Sequence, residues 1–301
     1  MKSKDTAVAA LILNWNGYDQ TKECLQSLAN QTHKPDIYVI DNNSSDGSGE
    51  RIAKEFPDVQ VLFNSSNDGF GGGINFAAQT INLNEYEYLW ILNNDVLFSE
   101  SNCLSELLGT MDDNPEIGIL SPKILKYPEI DEIWFEQAYV DWEIGDVGHR
   151  KEPMKDPNGT VYNDYIPLCC ALVRTEAFRN VNGLAEEYFL YYEDVDFGVK
   201  VKRAGYSLVT DCRATVYHRV SQSSTSSTQS YYNTRNRIIF ARNFWENIST
   251  TQFIFALAWS FLYTLAYHIK NLQYEEGKKM CMGYFDGVLG RSGKLKKYRD
   301  R

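Results

Sequence analysis

The octapeptide Tyr-Leu-Trp-Ile-Leu-Asn-Asn-Asp at residues 88–95 joins an uninterrupted apolar run to three polar residues. A run that is apolar on both faces is typical of a buried strand in a parallel sheet. Similar short runs precede it at Ala7–Leu13, Ile37–Ile40 and Val59–Phe63, and helical patterns separate them over residues 18–30, 46–55 and 71–83. Four such repeats predict an α/β fold, a Rossmann-like, mostly parallel sheet with right-handed crossovers and flanking helices.

Polar residues directly follow three of these strands. They are Asn14-Trp15-Asn16, Asp41-Asn42-Asn43 and Asn93-Asn94-Asp95. In an open parallel sheet, ligands bind at the edge where the carboxyl ends of the strands meet. The sequence therefore predicts a ligand site built from these three segments.

Asp95 is the candidate metal ligand of this site. A carboxylate at a strand end can hold a divalent cation through oxygen, and Asn93 can add a carbonyl oxygen or a hydrogen bond to a sugar. An Asn-Asn-Asp segment is equally typical of a turn, because Asn and Asp tolerate left-handed backbone. The motif alone leaves both interpretations open.

A second acidic motif, Glu193-Asp194-Val195-Asp196, opens a predicted helix over 194–204. Acids at a helix N-terminus complement the helix dipole, so a structural role suffices to explain them. The aromatic run Tyr188–Tyr192 just before them favours a further interpretation. Partial desolvation by these rings would suit a carboxylate that removes a proton from a sugar hydroxyl.

Three other features are candidates for ligand binding. The run Gly69–Gly73 lacks the glycine that a dinucleotide loop requires at position 74, but it predicts a turn that admits close approach of a ligand. His218 ends a predicted strand, where a lone histidine is more often structural than a ligand. Arg235 and Arg237 could clamp a diphosphate or could be solvated helix charges.

The rest of the chain up to residue 245 is less regular. Residues 121–165 predict a loop-and-strand insertion beside the site. A strand, a helix at 175–180, the helix already described and a strand ending near His218 follow. The Ser- and Thr-rich residues 221–230 predict a mobile segment, and a helix follows at 231–245.

Ile248–Tyr267 is a run of twenty residues with no formal charge. Its hydroxyl, amide and aromatic side chains favour a helix lying in a membrane interface over one that spans the bilayer. Residues 270–301 add nine Lys and Arg against four Asp and Glu, a basic tail that anionic lipid would attract. A helix packed on the body or in a dimer interface is the alternative. We therefore divide the chain into a domain over 1–245 and an appendage over 246–301.

Composition limits the classes of protein to which the chain can belong. The 301 residues are 43% hydrophobic, enough for a sizeable core, which excludes disorder. The net charge of −10 argues against a nucleic-acid partner. The six cysteines form no CxxC pair, and Ala7–Leu13 is too short for a signal peptide, so we expect a reduced, cytoplasmic setting.

The motifs in their order along the chain resemble glycosyltransferase family 2, most of all its rhamnosyltransferase-like branch. The segments that carry the resemblance are LILNWNG, VIDNNSSDGS, NDGFGGGIN, LNND, YYEDVDFGVKVKRAGY, ATVYH and YYNTRN, within residues 6–245. The resemblance implies the GT-A fold, a nucleotide-diphospho-sugar donor, a divalent cation (Mg²⁺ or Mn²⁺) and inversion at the anomeric carbon.

The resemblance also implies roles for individual residues. Asp41 matches the aspartate that contacts the nucleobase, with Asn14, Asn16 and Gly71 nearby on the donor side. Asn93-Asn94-Asp95 matches the metal-binding DxD motif with Asn in place of the first Asp, so Asp95 is the retained ligand. His218 matches a histidine that completes the metal site. Asp194 matches the catalytic base, beside Glu193, which is expected to hold the acceptor, and Arg235 matches an arginine on the diphosphate side.

The expected donor is dTDP-rhamnose or a UDP-hexose, and the expected acceptor is a saccharide, lipid-linked, in cell-surface polysaccharide or glycoprotein glycan assembly. The apolar helix and basic tail place the enzyme at the inner face of the membrane. Two other functions stay open: a non-catalytic binder of nucleotide-sugar or glycan, favoured only by Asn93, and a sugar-nucleotide nucleotidylyltransferase, whose Gly-rich basic loop is not present after the first strand.

Overall fold

The computed structural model describes residues 7–129, 131–150, 159–219 and 226–295. The strands are β1 (Val8–Asn14), β2 (Asp36–Asp41), β3 (Gln60–Phe63), β4 (Tyr88–Asn93), β5 (Val96–Leu97), β6 (Ile117–Lys126), β7 (Ile133–Phe135), β8 (Ala138–Asp141), β9 (Asp146–His149), β10 (Thr160–Tyr162), β11 (Cys170–Arg174) and β12 (Ser207–His218). The helices are α1 (Tyr18–Leu28), α2 (Ser48–Glu55), α3 (Gly69–Thr80), α4 (Cys103–Asp113), α5 (Thr175–Asn180), α6 (Glu193–Arg203), α7 (Ser226–Asn243), α8 (Thr250–Lys270) and α9 (Tyr274–Val288).

The main sheet has the strand order β10-β12-β6-β11-β4-β1-β2-β3. The four adjacent strands β4, β1, β2 and β3 are parallel to one another. Strand β11 is antiparallel to both of its neighbours, β4 and β6, whereas β6 and β12 are parallel to each other. The predicted α/β fold is confirmed. In this register Asn14 pairs with Asp41 and Leu13 with Asn93, so the three polar segments meet at one edge of the sheet.

The prediction of an irregular insertion over 121–165 is wrong at its start. Residues 117–126 form β6, a ten-residue strand between β12 and β11 in the centre of the sheet. Only the short strands β7 to β10 follow the predicted loop-and-strand pattern. Of these, β8 and β9 form a separate hairpin.

The predicted mobile segment over 221–230 lies partly outside the described residues, which resume at Ser226. From Ser226 onward the chain is already helical, because α7 runs from Ser226 to Asn243. The helix therefore begins five residues earlier than the sequence predicted.

Helix α9 packs closely along α7 through a seam of glycines. A Cβ atom added at Gly283 would lie 2.5 Å from the carbonyl oxygen of Tyr231, and one at Gly287 would lie 3.1 Å from that of Arg235. Contacts this short require glycine, so the two backbones approach without intervening side chains. The division of the chain at residue 245 stays a prediction.

Helix α8 exposes most of its apolar side chains. Its face toward α9 includes Phe261, whose ring lies 4.9 Å from that of Tyr284, and the buried His268, which lies against Gly277. Its outer face is apolar and aromatic and includes Phe255, Trp259 and Tyr263, which are 74%, 73% and 65% exposed. By length and composition α8 is the one helix in the described residues that is long and apolar enough to cross a membrane.

Candidate active site

Asn14, at the end of β1, makes hydrogen bonds to three side chains around the carboxyl ends of β1 and β2. Its amide group donates to the hydroxyls of Ser48 (2.8 Å) and Ser44 (3.2 Å), and its side-chain oxygen accepts from Thr21 (2.8 Å). Asn16 accepts from the backbone N–H of Ser45 at 2.7 Å and adopts a positive φ of 51°. Both asparagines therefore shape the β1–α1 and β2–α2 loops from within.

Asp41, at the end of β2, is buried, and its Oδ1 accepts from the backbone N–H of Ser44 at 2.8 Å. The next residue, Asn42, is the centre of a network that the sequence did not single out. Its amide donates to the carbonyl of Gly69 (2.9 Å), while its oxygen accepts from Asn64 (3.1 Å). This network joins the carboxyl ends of β2 and β3 to the start of α3.

The glycine run differs from its prediction. Gly69 to Gly73 form the first turn of α3 and not a turn preceding it. A Cβ at Gly71 would lie 3.3 Å from the carbonyl oxygen of Ala185, and one at Gly69 would lie 2.0 Å from that of Phe189. The close approach at Gly71 is thus between two parts of the chain, and the place of Gly71 on the donor side stays a prediction.

Asp95 and His218 come together although 122 residues separate them in the sequence. β12 pairs antiparallel with β5, so that His218 lies opposite Val96. Both side chains are buried, and Nε2 of His218 lies 3.1 Å from Oδ1 of Asp95. Asn93 lies half-buried at the end of β4, its backbone N–H bonded to the carbonyl of Cys169.

The Asp95–His218 pair has the chemistry of a partial cation site. Oδ1 of Asp95 and Nδ1 of His218 are buried with no hydrogen-bond partner among the described residues. Within those residues no three His, Cys, Asp or Glu side chains converge on a metal position. A divalent cation fits here if most of its ligands come from substrate phosphates and water, as is usual for Mg²⁺.

Glu193 and Asp194 begin α6 directly after Tyr192. Glu193 is buried, and its Oε2 has no hydrogen-bond partner in the described chain, while Asp194 is half-buried and accepts from the backbone N–H of Val195. Burial raises the pKa of both carboxyls, and the charge of Asp194 raises the pKa of Glu193 further. A carboxylate with a raised pKa is a stronger base than a solvated one.

Cys169 is a buried residue close to both Asp95 and Asp194. It lies just before β11, on the sheet edge beside Asn93. Burial raises the pKa of its thiol, and the charges of Asp95 and Asp194 raise that pKa further. Both carboxylates therefore lie near the same buried thiol, one toward His218 and the other at the start of α6.

The position of Arg235 corrects its prediction. The side chain is 1% exposed. Its guanidinium donates to the carbonyls of Gly293 (2.5 Å) and Tyr188 (2.7 Å) and to the side-chain oxygen of Asn236 (2.9 Å). The nitrogens that were expected to meet a diphosphate are thus bound to the chain. Arg237 likewise donates to the carbonyls of Ile144 and Gly145.

Sequence reasoning missed Trp134, an aromatic neighbour of His218, and His149, which contacts Trp134. The rings of Trp134 and His218 lie 4.7 Å apart at 69°, and Trp134 also contacts His149 at 5.1 Å. Nδ1 of His149 lies 3.1 Å from the carbonyl oxygen of Trp134, and burial lowers the pKa of His149. Their only signal in the sequence was the aromatic content of the segment between β6 and β10.

Solved structures share this architecture. The mannosyltransferase PcManGT from Pyrobaculum calidifontis, in complex with GDP-Man and Mn²⁺, superposes with a TM-score of 0.60 at 12% identity, covering 96% of this chain and 88% of that one. GalNAc-T7 with UDP, GalNAc and Mn²⁺ gives a TM-score of 0.64 at 14% identity, and the match covers 80% of this chain but 48% of that longer one. The fold is therefore that of the GT-A glycosyltransferases.

The family follows from the sequence comparison. Residues 10–181 match the model of Glycosyl transferase family 2. The chain belongs to this family and is a glycosyltransferase that uses a nucleotide-sugar donor. An N-acetylglucosaminyl-diphospho-decaprenol L-rhamnosyltransferase of Mycobacterium tuberculosis is 27% identical over an alignment of 230 positions, and the match covers 66% of this chain and 71% of that protein.

Proposed function

We propose that this enzyme is an inverting, metal-dependent glycosyltransferase that moves a sugar from a nucleotide-diphospho-sugar to a hydroxyl of a lipid-linked saccharide. The observation that carries the proposal is the buried Asp95–His218 pair, in which Oδ1 of Asp95 and Nδ1 of His218 have no hydrogen-bond partner in the described residues. The Glu193–Asp194 pair at the start of α6 is the second element, and burial raises the pKa of both of its carboxyls. The first pair suits a leaving diphosphate and the second suits an attacking hydroxyl.

Asp194 is the proposed general base. It removes the proton of the acceptor hydroxyl while that oxygen attacks C1 of the donor sugar, from the face opposite the leaving nucleoside diphosphate. One displacement with one base inverts the anomeric centre. Glu193 helps to hold the acceptor, and its orphaned Oε2 is available as an acceptor of a hydrogen bond from a sugar hydroxyl.

Asp95 and His218 are the proposed protein ligands of the cation, and the half-buried Asn93 is on the donor side. A bound divalent cation would supply Lewis-acid stabilisation of the leaving diphosphate. Asp41 is proposed to contact the nucleobase, and Asn14 and Asn16 hold the loops around it. Arg235 is not proposed as a donor-binding residue, because its guanidinium already donates to the carbonyls of Gly293 and Tyr188.

The relative from M. tuberculosis supports dTDP-rhamnose as donor and a polyprenyl-diphosphate-linked sugar as acceptor, since its name specifies L-rhamnose transfer to N-acetylglucosaminyl-diphospho-decaprenol. A β-linked dTDP-rhamnose would then give an α-L-rhamnosyl product. A UDP-hexose is the second donor candidate, and an α-linked one would give a β-linked product. Either product belongs to cell-surface glycan assembly.

The outer face of α8 is proposed to rest on the cytoplasmic surface of the membrane. Aromatic side chains such as Trp259 and Tyr263 are enriched at the boundary of lipid and water. Lys270 and Lys278 add positive charge near this face, which complements anionic lipid. The opposite face of α8 packs on α9, where the rings of Phe261 and Tyr284 lie 4.9 Å apart. This packing on α9 supports a helix that lies along the bilayer surface with its outer face toward lipid.

The test is the release of nucleoside diphosphate from dTDP-rhamnose, UDP-glucose, UDP-galactose, UDP-N-acetylglucosamine and GDP-mannose in the presence of Mn²⁺. Each donor is assayed with and without a polyprenyl-diphosphate-linked N-acetylglucosamine acceptor, for the wild type and for Asp95→Ala. We expect metal-dependent release from one donor that the substitution abolishes. Equal release without metal, or release from no donor even with acceptor, would contradict the proposal.

The Asp194→Asn variant distinguishes a transferase from a protein that only binds nucleotide-sugar. The transferase loses turnover in this variant but still binds its donor. A protein that only binds nucleotide-sugar would show no turnover before the substitution and unchanged binding after it.

A further inference from the structure

The loop that leads into α6 has an unusual backbone. Phe189, Tyr191 and Tyr192 all adopt positive φ angles, of 65°, 66° and 74°. Bulky side chains rarely adopt this conformation, and it persists only where the surrounding structure holds it in place. Tyr192 is followed directly by Glu193 and Asp194, so the path of this loop sets the position of both carboxyls.

Two consecutive residues of α7 hold the loop. Nδ2 of Asn236 lies within hydrogen-bond distance of three carbonyls of the loop, those of Tyr188 (3.0 Å), Leu190 (2.7 Å) and Tyr191 (2.7 Å), which share its two N–H groups. Arg235 donates to the carbonyl of Tyr188 at 2.7 Å and, through Nε, to the side-chain oxygen of Asn236 at 2.9 Å. Both side chains are buried. Arg235 therefore also fixes the orientation of the Asn236 amide.

The segment from Arg291 to Leu295, after α9, closes the arrangement from the other side. Gly293 donates its N–H to the carbonyl of Glu187 at 2.6 Å and accepts from Arg235 at 2.5 Å. The backbone N–H of Leu295 donates to the hydroxyl of Tyr232 at 2.8 Å. The ring of Tyr232 in turn stacks on Phe189, with centroids 5.4 Å apart.

We propose that Arg235 and Asn236 are positioning residues for Asp194, and that the segment Arg291–Leu295 completes this clamp on the loop. The inference rests on the proposed role of Asp194 as the base. Arg235 donates to the carbonyls of Tyr188 and Gly293 and to the amide oxygen of Asn236, and its guanidinium lies over the rings of Tyr231 and Tyr232. All of these partners are uncharged. The clamp thus uses the arginine as a source of several directed donors and not as the counter-charge of a carboxylate.

The first experiment compares Arg235→Lys and Asn236→Ala with the wild type. Lysine keeps the charge but lacks the planar fork that reaches several carbonyls at once. A displacement of the base by about 1 Å costs roughly 100-fold in rate. We therefore expect kcat to fall by about 10- to 100-fold, while the Kd for the donor, measured by calorimetry, changes by less than about twofold.

Arg237→Lys is the matched control. Arg237 lies on the same helix and also donates to two backbone carbonyls, but those belong to Ile144 and Gly145. We expect its kcat to stay within about threefold of the wild type. Gly293→Pro is the second test variant, because proline lacks the N–H bonded to Glu187 and cannot adopt the φ of +76° that Gly293 has, so it disrupts the segment Arg291–Leu295. It should lower kcat in the same direction as Asn236→Ala, by a smaller factor.

Hydrogen exchange gives a readout that does not depend on activity. Amides over 187–195 should exchange faster in Arg235→Lys, Asn236→Ala and Gly293→Pro, and at the wild-type rate in Arg237→Lys. Folded variants with unchanged kcat and unchanged exchange would overturn the clamp. A loss of donor binding in Arg235→Lys with kcat preserved would also overturn it, in favour of a diphosphate contact. An inactive wild type with the expected exchange pattern would leave the clamp standing and reject Asp194 as the base.

Discussion

Nε2 of His218 lies 3.1 Å from Oδ1 of Asp95, yet the two atoms do not form an aligned hydrogen bond, and Oδ1 has no other partner in the described chain. The two buried side chains thus lie next to each other, but Oδ1 of Asp95 and Nδ1 of His218 have no hydrogen-bond partner in the described residues. Buried polar atoms are rarely left in this state unless a ligand, ion or water completes them. This relationship is the basis of the first two predictions.

Asp95→Asn should remove most of the affinity for Mn²⁺. The substitution keeps the size of the side chain but removes the only carboxylate that faces His218 in the described residues. We expect the Kd for Mn²⁺, measured from the paramagnetic resonance of free Mn²⁺ in the presence of donor, to rise by at least about 10-fold. Asp112→Asn, which changes a carboxylate far from this edge of the sheet, is the control. An unchanged Mn²⁺ affinity in Asp95→Asn would rule out this metal site.

Trp134→Leu should weaken Mn²⁺ binding without touching a metal ligand. A ligating histidine is usually oriented by a hydrogen bond from its other ring nitrogen, but Nδ1 of His218 has no such partner among the described residues. We therefore expect the ring of Trp134, 4.7 Å away, to hold the His218 ring in its orientation. We expect a roughly 10-fold weaker affinity for Mn²⁺, and substantial recovery in Trp134→Phe.

The control for this prediction is Trp142→Leu. Trp142 packs on Phe240, away from His218. If it weakens Mn²⁺ binding as much as Trp134→Leu does, the loss reflects general destabilisation and not the orientation of His218.

The rate of transfer should depend on pH through the Glu193–Asp194 pair. Burial raises the pKa of both carboxyls, so the base is protonated, and inactive, at pH values where an ordinary aspartate, with a pKa of about 3.9, is already ionised. The neighbouring Tyr165 and Tyr192 have pKa values raised by burial and keep their protons in this range. We expect kcat to fall as the pH is lowered, with an acid limb well above pH 4.

Asp194→Asn checks the same carboxyl through stability. A raised pKa means that the native state disfavours the ionised form, so this group lowers the stability above its unfolded pKa and ceases to do so as the pH falls below that value. The asparagine variant should be at least as stable as the wild type at pH 7 by thermal unfolding. An acid limb at pH 4 or below, or a clear loss of stability at pH 7, would contradict the raised pKa.

Charges placed on the outer face of α8 should abolish membrane binding. We expect the wild type to sediment with vesicles of phosphatidylcholine and phosphatidylglycerol, and Phe255→Glu with Trp259→Glu to stay in the supernatant. Trp245→Glu, at an exposed tryptophan outside α8, is the control and should still sediment. If the wild type ignores the vesicles and is a dimer that the double substitution dissociates, the face is an interface between two copies of the chain.

Gly69→Ala should destabilise the protein by more than about 2 kcal/mol. Gly69 has a φ of +78°, and a Cβ there would lie 2.0 Å from the carbonyl oxygen of Phe189. Gly109→Ala, in the interior of α4 where a Cβ meets no atom within 4 Å, should instead be neutral or stabilising by up to about 1 kcal/mol. Urea denaturation of both variants checks the contrast.

The parts of the fold that could be predicted are those with local signals. The four apolar runs from β1 to β4 predicted their strands to within a residue or two, because buried parallel strands are apolar on both faces. β6 was missed because Ser121 and Pro122 interrupt its apolar run. Its pairing with β12 tolerates the interruption through an irregularity in register between Asp211 and Thr215.

The limits on the site have a similar cause. Motif order singled out Asp95 and His218, and the structure brings them together, although their role as metal ligands stays a proposal. The partners of Arg235 could not be predicted, because they are backbone carbonyls of residues about 50 positions away on either side. The contact of Trp134 with His218 could not be predicted either, since it joins β7 to the end of β12.

The place of β6 in the sheet limits how the chain can be divided. The region that matches the family model stops at residue 181, but β6 is paired along its length by β12, which begins at Ser207. A fragment cut after residue 181 would leave a ten-residue strand with an open row of N–H and C=O groups. Such an edge is a template for aggregation. Expression of the minimal matched region should therefore yield inclusion bodies, whereas a fragment that retains β12 keeps this edge covered.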